Sequence, residues 1–207
     1  NDLSEKKYSA GWKTCSLEEI CSLITYGFTN PMPTSKKGIP MVTAKDIKEG
    51  FIDFNSARFT TEEAYFELLT RKSRPEKGDV LVTKDGTLGR TAIVDNERLC
   101  INQSVALLRP AQLEDAEYIH LLLSSPFYQR MMIGQSGGSA IKHIYITTLA
   151  KMQIVIPETK SLQDQVVKTI KQKNLYLNSL LRKIQQVENL KNALSSDLLS
   201  GRKRFSV

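Results

Sequence analysis

The chain has 207 residues, of which 41% are hydrophobic and 25% charged, which is the composition of an ordinary globular protein and not of a disordered or fibrous one. Lysine and arginine exceed aspartate and glutamate by 29 − 22 = 7, and a pI near 9.3 points to a polyanionic partner, nucleic acid before membrane. Cys15, Cys21 and Cys100 have no CxxC spacing, which disfavours a disulfide framework or a zinc site, and no apolar run approaches the roughly 18 residues a membrane span needs.

The N-terminus has neither a basic n-region nor an apolar h-region, so a cytoplasmic location is expected. The chain opens on Asn1, as a processed protein or a segment of a longer one would. Trp12 to Ser16 reads as a strand feeding a helix at Ser16, where Ser16-Leu17-Glu18-Glu19 has the capping-box spacing. Thr25 to Gly38 reads as a loop: Gly27, Pro31 and Pro33 break it, and Tyr26, Thr29, Asn30, Lys36 and Lys37 make it either a recognition loop or a plain surface connection. Ile39 to Ile47 reads as a strand, and Thr60-Thr61-Glu62-Glu63 caps a helix to about Leu69.

Gly78-Asp79 opens Val80 to Lys84, the turn Asp85-Gly86 follows, and Thr91 to Val94 returns after Gly89-Arg90, which together predict a hairpin. Ile101 to Leu108 is expected as its third strand, ended by Pro110. Helical spacing returns over Asp115 to Leu123 and Phe127 to Ile133, separated by Pro126. Gly134 to Ser139, with Gly137-Gly138, reads as flexible, and Ile141 to Ile146 and Met152 to Ile156 as short strands closed by Pro157.

From Ser161, an N-cap candidate with Asp164 three residues on, to the stop at Gly201, the chain reads as one helix. Its core heptad positions are Val166, Ile170, Lys173, Leu177, Leu180, Ile184, Val187, Lys191, Leu194 and Leu198; eight of ten are apolar, where composition alone gives about four. One helix cannot bury such a seam, so Val166, Ile170, Leu177, Leu180, Ile184, Val187, Leu194 and Leu198 are expected to pair with a second helix. Such a helix is on the order of 60 Å long. The seam is symmetric about Arg182, so folding a second identical helix back on it pairs Leu180 with Ile184, Leu177 with Val187, and Lys173 with Lys191; a parallel pair also matches like with like.

Catalytic signatures are missing. There is no GxGxxG and no GxxxxGK[ST], and Asn30-Pro31-Met32-Pro33 lacks the second proline and the aromatic of the amino-methyltransferase signature. Asp79, Asp85 and Asp95 sit at hairpin ends, where turn chemistry accounts for them. Of the two histidines, His120 reads as packed or surface, and His143, beside Lys142, is a candidate phosphate contact. The chain reads as a binder with no catalytic or metal site of its own.

Trp12 to Gly27, Gly38-Ile39-Pro40-Met41-Val42-Thr43-Ala44-Lys45-Asp46-Ile47 and Gly50-Phe51-Ile52-Asp53 resemble the opening of a target recognition domain in type I restriction-modification specificity subunits. Gly78 to Arg90 is the most specific block of the resemblance, which continues through Asn102-Gln103-Ser104-Val105, Gly138-Ser139 to Lys142, Leu149 and Ile154 to Pro157. The resemblance implies an α+β fold, with a mixed-sheet, DNA-binding target recognition domain over 1–157 and a long coiled-coil dimerisation or spacer helix with a basic tail over 158–207.

It also implies a noncatalytic subunit that reads one half of a bipartite target on double-stranded DNA, docks the DNA methyltransferase subunits and serves the restriction subunit indirectly. S-adenosylmethionine and Mg/ATP would then belong to partner subunits, with no cofactor in this chain. Family members usually carry two recognition domains and two helices, so this chain is half of a longer subunit or a half-subunit that forms a homodimer. Leu198 to Val207 resembles the C-terminus of the family. The related readings are the specificity subunit of a fused restriction-methylation enzyme and a coiled-coil scaffold that does not bind DNA. On the DNA reading, Lys45, Lys84, Arg90 and Lys142 neutralise phosphates, while Tyr26, Thr29, Asn30, Lys36, Lys37 and Thr87 face base edges.

Overall fold

The computed structural model describes residues 10–95, 98–112, 115–134 and 143–204. The chain falls into two units, Asn1–Gln163 and Asp164–Val207. In chain order the elements are β1 (Trp12–Ser16), α1 (Leu17–Ile20), β2 (Cys21–Tyr26), β3 (Ile39–Val42), β4 (Arg58–Thr60), α2 (Glu62–Leu68), β5 (Val80–Thr83), β6 (Thr91–Ile93), β7 (Cys100–Ile101), β8 (Val105–Pro110), α3 (Asp115–Ser124), α4 (Pro126–Gly134), α5 (Ile146–Ala150), β9 (Gln153–Pro157) and α6 (Lys160–Leu199).

Among the described residues three sheets build the first unit, ordered β1-β9, β2-β8-β5-β6 and β4-β3-β7. The named strands among the described residues pair antiparallel except β3 with β7, so this is the expected α+β fold with a mixed sheet. Val80, Leu81, Val82 and Thr83 of β5 are completely buried, which is what an apolar run without alternation requires of a central strand. Leu81, Ala92 and Leu107 join Val42, Ile47 and Ile101 in one apolar cluster, so the third sheet shares the core of the second. Ile39, Met41, Tyr65, Leu69 and Cys100 make a smaller cluster under α2.

β9 pairs with β1 along one edge only. On the other edge, Tyr118 Oη of α3 donates to Val155 O at 3.1 Å and Val155 N donates to Tyr128 Oη of α4 at 2.9 Å. Two tyrosines thus satisfy backbone groups that would otherwise leave a strand edge open. Burial pushes the Tyr118 phenol well above its ordinary pKa. Burial likewise raises the Cys100 thiol, to about 12, and none of the three cysteines is in a disulfide.

Several expectations are corrected. The helix at Ser16 has the expected capping box, Ser16 N donating to Glu19 Oε2 at 2.5 Å, but it lasts one turn and passes straight into β2, an unexpected strand. No glycine or proline separates the two, and the mixed exposure of β2 has no clean alternation to read. The strand expected over Ile39 to Ile47 stops at Val42, because Asp46 folds the next residues into a turn. β4 was not expected, and Thr61 rather than Thr60 caps α2, its Oγ1 accepting from Ala64 N at 3.1 Å. The run Ile101 to Leu108 is cut by a turn at 102–104 into β7 and β8, which serve different sheets, and β8 continues through Pro110.

In place of the strand ending at Ile146, α5 begins there; buried Leu149 and Met152 anchor it, and that packing overrides the strand propensity of Ile146, Thr147 and Thr148. The cap of α6 is Thr159, two residues before Ser161, its Oγ1 accepting from Leu162 N at 3.3 Å. The hairpin, α3, α4, β9 and the stop at Gly201 stand as expected. Gly137, Gly138, Ser139, Ile141 and Lys142 lie outside the described residues.

The second unit is α6 beyond Gln163. Along it Ile170, Leu177, Ile184, Val187 and Leu194 of the apolar seam are exposed, as are Leu175, Tyr176, Leu181 and Leu190, while Val166, Leu180 and Leu198 are partly buried. Among the described residues no helix is long and apolar enough to cross a membrane.

Deep in the first unit, Arg109 Nε and Nη2 donate to Asp79 Oδ1 and Oδ2 at 2.8 and 2.7 Å, and Nη1 lies 2.9 Å from Glu76 Oε1. Asp79 is 1% exposed and Arg109 7%, so removing either leaves a buried charge. Asp79→Asn or Arg109→Met is expected to cost about 3–5 kcal/mol in urea unfolding, and the two combined less than the sum of the singles.

Candidate nucleic-acid interface

The turn at 102–104 draws several loops to one end of the four-stranded sheet. Ser104 Oγ donates to Asn102 Oδ1 at 2.6 Å and accepts from Ala44 N at 2.9 Å, while Ser104 O accepts from Lys84 N and Asp85 N at 2.9 and 3.3 Å. The loop after β2 joins from the other side: Phe28 N donates to Ile101 O at 3.0 Å and Gln103 N to Phe28 O at 2.9 Å. Gly27 makes that approach possible, because a Cβ there would stand 1.8 Å from Ile101 O. The segment after the undescribed residues completes the site, with Ile144 N donating to Lys84 O at 3.0 Å.

Each loop is stiffened from within. Asp46 is completely buried; Oδ2 accepts from Thr43 N and Oγ1 at 2.9 and 2.8 Å, and Oδ1 from Ser56 Oγ at 2.7 Å. At the hairpin, Thr83 Oγ1 accepts from Arg90 N at 2.9 Å and donates to Thr87 O. Gly89 has a positive φ of +80° and sits against Gln129 of α4, whose Nε2 donates to Gly89 O at 2.7 Å. The tip between them, Gly86 and Thr87, is exposed.

The structure brings together some of the predicted contact residues and separates others. Tyr26, which ends β2 instead of lying in the expected loop from Thr25, is exposed, and so are Thr29, Asn30, Lys45 and Thr87 on the converging loops. Lys84 is on the same face but engaged, its Nζ 2.8 Å from Asp85 Oδ2 and 5.6 Å from the centroid of the Tyr26 ring. Arg90 is half-buried at the base of the hairpin tip. Lys36 and Lys37 are exposed on a stretch tied elsewhere: Ser35 N bonds Phe59 O of β4 at 2.8 Å. Lys142 lies outside the described residues.

Gln103 and Tyr145, absent from the predicted contact set, stand here together with His143, the candidate phosphate contact. Gln103 is exposed between Asn102 and Ser104, which are both committed to the turn. His143 Nδ1 lies 2.5 Å from Asp85 Oδ1, and the rings of His143 and Tyr145 are 6.2 Å apart. Burial raises the Asp85 pKa, but the hydrogen bonds and charges of Lys84 and His143 outweigh it and hold the carboxyl below its usual range. Only the position of Gln103 within the Asn102 to Val105 block and of His143 beside Lys142 signalled these in the sequence. The surface offers amide, hydroxyl, aromatic and cationic groups, the set that contacts phosphates and base edges. Among the described residues no group of three or more His, Cys, Asp or Glu side chains is placed to hold a metal ion.

The specificity subunit of the type I restriction enzyme EcoBI of Escherichia coli is 27% identical over 194 residues, 91% of this chain and 40% of that protein. A putative type I restriction enzyme specificity subunit of Haemophilus influenzae is 27% identical over 175 residues, 81% of this chain and 44% of that protein. The chain therefore spans less than half the length of these relatives. A chain solved in a study of assembly and conformational transition of the type I restriction-modification system superposes with a TM-score of 0.72 at 18% identity, covering 96% of this chain and 47% of that one. The HsdS subunit of Thermoanaerobacter tengcongensis superposes with a TM-score of 0.61 at 18% identity, covering 95% and 46%, and both superpositions establish a shared fold. Residues 9–189 match the type I restriction modification DNA specificity domain, and by that match, over most of its length, the chain belongs to this family.

Proposed function

We propose that this chain reads one half of a bipartite DNA target, and that it is a noncatalytic subunit which positions methyltransferase subunits there. The observation that carries the reading is the convergence of the Tyr26 to Asn30, Thr43 to Asp46, Lys84 to Thr87 and Asn102 to Ser104 loops on one end of a rigid sheet. Family membership and the net charge of +7 support it. Exposed Lys45 and the lysine at 84 supply phosphate contacts, and Thr29, Asn30, Thr87 and Gln103 supply hydrogen-bonding groups for base edges.

In this reading α6 is the spacer. Two copies pair through Val166, Ile170, Leu177, Leu180, Ile184, Val187, Leu194 and Leu198, and the 40-residue helix sets the distance between two readers. The methyltransferase docks on the paired helices and adjoining domain surfaces, and the restriction subunit acts through it. S-adenosylmethionine, Mg and ATP are held by those partners, and the complex works in the cytoplasm.

Three measurements test this. Binding to a random-sequence duplex should weaken steeply with salt, log K falling by about 0.9 per log unit of salt for each phosphate neutralised; the absence of any salt-dependent binding would leave only the scaffold. Leu180→Asp with Ile184→Asp should convert a dimer into a monomer in sedimentation, and a wild-type chain already monomeric at micromolar concentration would end the pairing idea. Gln103→Ala should lower DNA affinity with stability unchanged to within about 0.5 kcal/mol, whereas Ser104→Ala, which strands Ala44 N and leaves Asn102 Oδ1 only the bond from Ser104 N, should cost about 1–3 kcal/mol in urea unfolding.

A further inference from the structure

Lys84, Asp85 and His143 do not form a simple phosphate clamp. The Lys84 side chain is only 15% exposed, held between Asp85 Oδ2 at 2.8 Å and the face of Tyr26, while the other Asp85 oxygen bonds His143 Nδ1. One carboxylate thus occupies two basic side chains at the end of the sheet where the loops meet. The frame beneath does not use that carboxylate. Lys84 N and Asp85 N donate to Ser104 O, and Ile144 N donates to Lys84 O, all through the backbone. The carboxylate is 24% exposed, at the foot of the open tip at Gly86, where a Cβ would meet nothing within 4 Å.

We propose that Asp85 is a charge-exchange gate: in the free protein its carboxylate occupies Lys84 and His143, and a phosphodiester oxygen of bound DNA displaces it from Lys84. This rests on the DNA-reading function proposed above. An intramolecular carboxylate competes at high effective concentration with any phosphate, so binding that lacks further contacts is held down. A duplex already anchored through Lys45, Thr87 or Gln103 presents its phosphate in place and completes the exchange. Lys84 is the group that touches DNA, and Asp85 is a positioning residue that acts through it.

The test measures binding of the full chain to a random-sequence duplex across a salt series, for wild type, Asp85→Asn, Lys84→Met and the double variant. Asp85→Asn should bind about two- to fivefold tighter at low salt, the size of one exposed charge interaction. Its log K against log salt should steepen by about 0.9, one added phosphate contact. Lys84→Met should lose both gains when combined with Asp85→Asn. An equal gain with and without Lys84 would show a general repulsive charge and overturn the gate; so would unchanged or weaker binding by a folded Asp85→Asn protein. Asp85→Ser carries the same expectations should the asparagine variant fail to fold. Wild-type binding that ignores salt overturns the DNA reading and the gate together, whereas salt-dependent wild-type binding with an unchanged slope in the variants overturns the gate alone.

Discussion

The buried pair between Arg109 and Asp79 holds the central sheet in register. Asp79 sits immediately before β5 and Arg109 near the end of β8, and Val80 pairs with Leu108 beside them. A one-residue slip would send every β5 side chain to the opposite, differently packed face and break a bidentate bond between two desolvated charges at once. Glu76 completes the arrangement from the surface side, and its backbone N donates to Asp79 Oδ2 at 2.7 Å. The opposite end of the same strands carries the converging loops, so the register fixed here sets where those loops emerge.

At that opposite end the motif residues divide their labour. Asp46, Asn102, Ser104, Thr83 and Gly27 face inward and spend their hydrogen-bonding or steric capacity on neighbouring backbone. The residues between them, Lys45, Gln103 and Thr87, are left exposed. A loop anchored on both sides of an exposed residue presents that side chain with little conformational entropy left to lose. Side chains on four loops can then be held in a fixed mutual arrangement, which reading a short stretch of duplex demands.

The long helix obeys a different constraint. Its exposed apolar positions exceed the a and d seam, since Tyr176, Leu181 and Leu190 flank it. A wide apolar face on a 40-residue helix offers area for more than one helical neighbour, which the proposed pairing and methyltransferase docking both require.

The sequence alone determined the elements whose signals are local. The hairpin was legible from its turn residues, α3 and α4 from their period and Pro126, and α6 from a heptad sustained over 30 residues, because each is specified by neighbours a few positions apart. The candidate face was legible in part: Tyr26 at the end of β2 and Asn30, Lys45 and Thr87 on the converging loops were singled out and are exposed. Tertiary structure decided what depends on residues far apart in the chain. β2 became a strand only by pairing with β8, the run at 101–108 was divided between two sheets, and Ile146 to Ala150 wound into a helix around buried Leu149. It also decided that Lys84 is held by Asp85 and that Asp85 reaches His143, 58 positions away, since the partner of a charge is set by packing and not by spacing.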